Sequence, residues 1–244
     1  MFSYINFNPL YWVIFSSILI FILMRFYPIV GRQFQLLSAR LVRSQMFVYY
    51  FLFLGTVIHE LSHALLCLIL GVKINKIVLF HPKKEENGEF YRLGYVEHEK
   101  VGPLRSTLIG IAPIILCSLF TYFVFIWATR DFLFLKPYDV ASFFLSLKII
   151  FLHLFNWKML IFVYFAFACA SSGEPSKEDL DSAPKTLMFL SIGLLILYFI
   201  KVQFFYNLFI FLNPIFKGIT FIMFFETIIL LFLYLLFRFI FKIR

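Results

Sequence analysis

Charge is what this chain has least of: Asp, Glu, Lys and Arg make up 14% of its 244 residues, and only 13 residues are acidic. A soluble globular domain carries roughly 25% charged residues, so a sequence this poor in charge argues against an ordinary soluble fold. Cysteine is scarce as well, with three residues (Cys67, Cys117 and Cys169), an odd count without CxxC spacing, all within apolar stretches. That excludes a disulfide framework and a thiolate metal site, and leaves packed free thiols. No internal repeat or low-complexity linker is visible, and Met1 to Pro9 lacks the basic region of a cleavable signal peptide. The net charge of +9 is not gathered into a basic patch interleaved with aromatics, so nucleic-acid binding is discarded.

Apolar residues fill the space that charge leaves. The chain is 62% hydrophobic with 37 Phe, and apolar runs recur along its whole length. The pattern predicts an all-α polytopic membrane protein, residues 1–244 forming a single membrane-embedded domain. Spans are expected near Leu10 to Phe26, Met46 to Leu70, Leu104 to Ala128, Ala141 to Ser171 with a break at Asn156, Pro184 to Phe205, and Asn213 to Phe241. Those are six transmembrane helices, which put both termini on one side. The basic tail of Arg238, Lys242 and Arg244 assigns that side to the cytoplasm of a prokaryotic cell membrane. Seven Lys or Arg between Gly71 and Arg105 lie on the same face, against Arg32, Arg40 and Arg43 in the opposite loop from Tyr27 to Gln45.

One apolar run carries chemistry. Met46 to Leu70 reads MFVYYFLFLGTVIHELSHALLCLIL, 25 residues that would make a helix of roughly 37 Å, enough to cross a hydrocarbon core of about 30 Å. Within it His59, Glu60 and His63 form an HExxH motif. On a helix the two imidazoles stand one turn apart on one face and can share a Zn²⁺, while Glu60 lies about 100° round, placed to take a proton from a water on the metal. HExxH alone recurs by chance in soluble helices. An ionisable side chain at mid-membrane costs on the order of 2.5–3.5 kcal/mol on insertion scales, which favours retention for function. Gly55, Ser62 and Ala64 are small and allow a close helix neighbour.

After Gly71, a residue suited to end a helix, the period changes. Val72 to Phe80 is rich in β-branched residues, His81 to Gly88 is turn chemistry ending in Asn-Gly, and Glu89 to His98 is aromatic and strand-like. A β-hairpin insertion over 72–98 is expected beside the HExxH helix, the alternative being an ordinary connecting loop. An exposed edge along Tyr91, Gly94, Tyr95 and Val96 would bind an extended substrate as an added strand. His81 and His98 are expected in solvent.

Two histidines leave zinc short of a protein ligand. The polar segment from Ala170 to Ala183 offers Glu174, Glu178, Asp179 and Asp181, with Pro175 and Ser176 able to open a helical turn. Glu226 and His153 are the remaining candidates, read as interhelical hydrogen-bonding groups.

HELSH in a membrane span, the β-like loop, a GIAP turn at Gly110 to Pro113 and a later PSKEDL resemble the site-2 protease family of intramembrane zinc metalloproteases, across roughly 46–183. The resemblance implies a Zn²⁺ cofactor held by His59, His63 and Asp179, with Asp181 the other choice, and Glu60 as general base. It implies a transmembrane or membrane-anchored protein as substrate within the lipid bilayer. This chain departs from the common family pattern around the third ligand: no Asn-x-x-Pro stretch leads into Asp179 or Asp181, and neither is followed by Gly; it looks instead like divergent members with a Pro-Ser-x-x-Asp pattern. No loop is long enough for a PDZ domain. Competing readings are a membrane zinc protease of the prenyl-peptide-processing type, which would need Glu174 or Glu226 as third ligand, and a non-catalytic membrane binder or metal transporter.

Overall fold

The computed structural model describes residues 44–84, 91–129, 148–153, 155–172 and 218–228, with scattered helical positions towards either terminus. These residues are mostly helical. The expected spans from Leu10 to Phe26 and from Pro184 to Phe205 fall largely or wholly outside the described residues.

The expected Met46–Leu70 helix is two helices, α1 (Gln45–Phe51) and α2 (Phe53–Ile69), joined at Leu52. Leu52 has φ −98° and ψ 10°, yet its N–H still reaches the Val48 carbonyl at 3.0 Å and its own carbonyl accepts from Gly55 at 3.0 Å. The joint therefore interrupts the helical dihedrals while leaving the backbone bonded. Ser44 begins α1, its side chain accepting from the Phe47 N–H as an N-cap.

α2 stops at Gly71, whose φ of +65° is the left-handed conformation that favours glycine. The Val72 N–H returns to the Cys67 carbonyl at 2.8 Å and the Gly71 N–H to Leu68 at 3.2 Å, the pair of bonds that define a Schellman motif. Val72 then packs on Cys67 and Ile109, so the chain is turned back towards the next helix as soon as α2 ends.

The expected strand pairing is present, with shorter strands and split into two antiparallel ladders. β1 (Ile74–Val78) pairs antiparallel with β4 (Tyr95–His98), Val78 opposite Tyr95 and Ile77 opposite Val96, with an irregularity between Ile74 and Lys76. β2 (Lys83–Lys84) and β3 (Tyr91–Arg92) pair beyond it. Lys83 and Lys84, expected in the turn, are thus strand residues.

α3 (Pro103–Thr129) has 27 residues and is long and apolar enough to cross a membrane. Gly110 to Pro113, expected as a turn, lies inside this helix. α4 (Trp157–Ser172) begins at the predicted break, where the Asn156 side chain accepts the Lys158 N–H at 3.0 Å as an N-cap. α5 (218–228) packs beside α3 and α4.

α2, α3 and α4 pack mutually. α3 runs antiparallel to the other two, and α2 and α4 run parallel with matched steps: the Tyr164 hydroxyl donates to the Phe51 carbonyl at 2.8 Å, and Ala168 lies against Gly55 one turn on. Gly55 is required by this approach, because a Cβ there would overlap the Ala168 backbone and lie 2.7 Å from Ser172 Oγ. Away from the motif the helices interlock through aromatic rings, with Phe125, Phe162, Phe221 and Phe225 in successive contacts of 5.2–5.4 Å. At the far end of α3, Trp127 meets Trp157 edge-on at 5.5 Å, and Lys158 Nζ lies 5.9 and 5.8 Å from the two rings.

Candidate metal centre

His59, Glu60 and His63 are all buried on α2, on the side facing α3, α4 and the hairpin. Helical periodicity supplies the first fact of the site. The two imidazoles come together edge to face, and their Nε2 atoms are 3.2 Å apart. Two nitrogens bound to one tetrahedral zinc at about 2.05 Å each would stand roughly 3.3 Å apart, so the pair is spaced for a shared ion.

The ring protons fit the same arrangement. His63 Nδ1 lies 2.9 Å from the Ile109 carbonyl on α3, an acceptor only, so Nδ1 carries the hydrogen and Nε2 presents a lone pair. On the other ring, His59 Nδ1 is buried and makes no hydrogen bond, while the Ser172 backbone lies close to the imidazole. A neutral His59 that protonates Nε2 to reach His63 leaves that buried Nδ1 as an unsatisfied acceptor. A cation at Nε2 would move the proton to Nδ1. The donor set present therefore fits a metal better than it fits two hydrogen-bonded imidazoles.

Glu60 is roofed by the hairpin. A Cβ on Gly94 would sit 2.8 Å from Glu60 Cγ, 2.8 Å from the Val78 carbonyl oxygen and 2.9 Å from that of Leu79. Gly94 has an ordinary backbone conformation, so space rather than φ requires glycine here. Of the four residues expected on a substrate edge, Gly94 thus adjoins Glu60, Tyr95 and Val96 pair with β1, and Tyr91 pairs with Lys84 further out. β4 has a strand partner on one edge only among the described residues. Arg92 lies over the Tyr95 ring at 4.4 Å and Lys76 at 5.4 Å. The Tyr95 hydroxyl, more than the Glu97 carboxylate, holds the Lys76 ammonium above the usual lysine range.

Among the described residues no third His, Cys, Asp or Glu joins His59 and His63. Glu174, Glu178, Asp179 and Asp181 lie outside the described residues. They follow in sequence after Ser172, the last described residue of α4, whose hydroxyl is 3.4 Å from Thr56 Oγ1, one turn before His59. Of the other candidates, Glu226 is buried in α5 on the Cys117 side of the bundle, and His153 precedes α4 at the end opposite Ser172. His81 is exposed, and His98 Nδ1 donates to the Glu99 carbonyl at 2.7 Å.

Three partners of the motif were not read from the sequence: the Ile109 carbonyl, the Ser172 backbone and the contact of Gly94 with Glu60. The first had a signal, since a proline four residues after Ile109 removes that carbonyl's helical donor. The other two depend on long-range packing and had none. Compared with known proteins, the chain matches no family model, no curated protein and no solved structure.

Proposed function

We propose that the chain is a multi-pass intramembrane zinc endopeptidase that cleaves membrane-embedded or membrane-anchored proteins. The observation that carries this reading is the buried pair of imidazoles with converging Nε2 atoms beside a buried Glu60, on a helix packed against α3, which is long and apolar enough to span a membrane. Zinc, when bound, supplies a Lewis acid that polarises a carbonyl and lowers the pKa of a water to about 7.

Each residue then has a separate task. His59 and His63 hold the ion. Glu60 takes a proton from the attacking water and returns it to the departing amine, acting as base and then acid. The open edge of β4 orients an extended stretch of substrate by main-chain hydrogen bonds, which suits peptide-bond hydrolysis because a helix hides its carbonyls. Asp179 is proposed as third ligand, on the Pro-Ser-x-x-Asp pattern and because α4 delivers the chain to Thr56 and His59 only seven residues earlier. Multi-pass topology with six crossings accounts for the recurring apolar runs.

The deciding experiment is metal analysis with cleavage assay on purified protein. About one zinc per chain is expected, lost in His59→Ala and His63→Ala and retained in Glu60→Gln, with cleavage abolished in all three. Zinc loss in Glu60→Gln as severe as in the histidine variants would reverse the assignment of base and ligand. Wild-type protein without zinc would overturn the protease reading.

A further inference from the structure

Pro113 lies inside α3, with its side chain fully buried. In a helix the N–H of each residue closes on the carbonyl four before it, and proline has no N–H to give. The carbonyl thereby deprived is that of Ile109, a residue 2% exposed. It is this carbonyl that receives the His63 Nδ1–H at 2.9 Å. A buried acceptor that lacks its helical donor and a buried ring N–H that needs an acceptor satisfy one another across two helices.

We infer that Pro113 is a positioning residue for the metal centre: by withholding one helical N–H it reserves the Ile109 carbonyl for His63 and fixes that ring with Nε2 turned to His59. The functional meaning rests on the zinc reading; the ring tautomer does not. A side-chain acceptor at this place would swing about its own torsions, whereas a backbone carbonyl is held by the helix. Alanine at 113 would restore an N–H directed along the axis at the same oxygen, drawing the carbonyl back into line and bending or sharing the His63 bond.

The test uses the full chain in detergent, with histidine labelled in the ring nitrogens and metal stripped by a chelator. His63 resonances are assigned by their loss in His63→Gln. In the wild type His63 is expected as the Nδ1–H tautomer. In Pro113→Ala its signals should shift towards a tautomer mixture, and zinc affinity, measured by competition with a chelator, should fall tenfold or more, the range seen for groups that orient a metal ligand. The substitution raises helix propensity, so the fold should hold, and circular dichroism checks that it does. A wild-type His63 in the Nε2–H tautomer overturns the inference, whatever the variant does. So does a Pro113→Ala protein with unchanged tautomer and zinc affinity. Wild-type protein that takes up no zinc, yet shows the tautomer and its loss in Pro113→Ala, upholds the positioning role and overturns the zinc reading.

Discussion

At the scale of single residues, space beside Glu60 is tightly limited. Gly94→Ala would put a methyl 2.8 Å from Glu60 Cγ and against two β1-side carbonyls, so either the carboxylate or the hairpin must move. Misplacement of a reacting group by about 1 Å can cost on the order of 10²-fold in rate. Gly94→Ala is therefore expected to lower cleavage at least tenfold while zinc content, measured by metal analysis, stays at the wild-type level, because the atoms nearest the added methyl belong to Glu60, proposed as base and not ligand, and to the hairpin. Sequence made the HExxH triad legible since all three residues lie within five positions of one helix, where periodicity alone fixes their faces. It gave Gly94 only as an edge residue; its contact with Glu60 joins positions 34 apart and follows from how the hairpin folds back, which no local pattern encodes.

Among elements, the α2–α4 contact and the β4 edge are separately testable. Gly55 lets α4 approach until Ala168 and Ser172 touch α2, so the last described residue of α4 lies one turn from the motif. Gly55→Leu should destabilise the bundle by about 1–3 kcal/mol, the usual cost of overpacking, and lower its melting temperature in detergent. Zinc occupancy should fall with it, because the proposed third ligand is carried away with α4. For the hairpin, successive N–H groups along a strand point to opposite edges, so proline at one of Tyr95 and Val96 should reduce cleavage with zinc intact. Unchanged cleavage across proline substitutions at Tyr91 to Val96 would eliminate strand addition. Element type was readable here from composition: β-branched and aromatic residues after a helix-ending glycine, and a 27-residue apolar helix between polar neighbours. The joint at Leu52 was not, because Phe51, Leu52 and Phe53 continue the apolar run without interruption.

For the molecule as a whole, the choice of third ligand decides whether the centre is complete. Asp179→Ala should lose both zinc and cleavage, whereas Asp181→Ala and Glu174→Ala should keep most of each, as read by metal analysis and assay in parallel. Retention of zinc in all three would remove this segment from the coordination sphere and weaken the protease reading with it.

α3 also acts as a depth gauge. The Ile109 carbonyl is six residues from its hairpin end and 18 from Trp127, or roughly 9 Å against 27 Å at 1.5 Å per residue. If the tryptophan–lysine cluster marks one membrane boundary, the proposed cut falls near the other leaflet. The two products of the proposed cleavage would then part unequally: the stub on the hairpin side would retain about a turn or two of apolar chain and escape to water, while the longer remainder would stay in lipid. That separation would reinforce the direction that hydrolysis in excess water already has, since the new ends would no longer share a phase in which they could be rejoined.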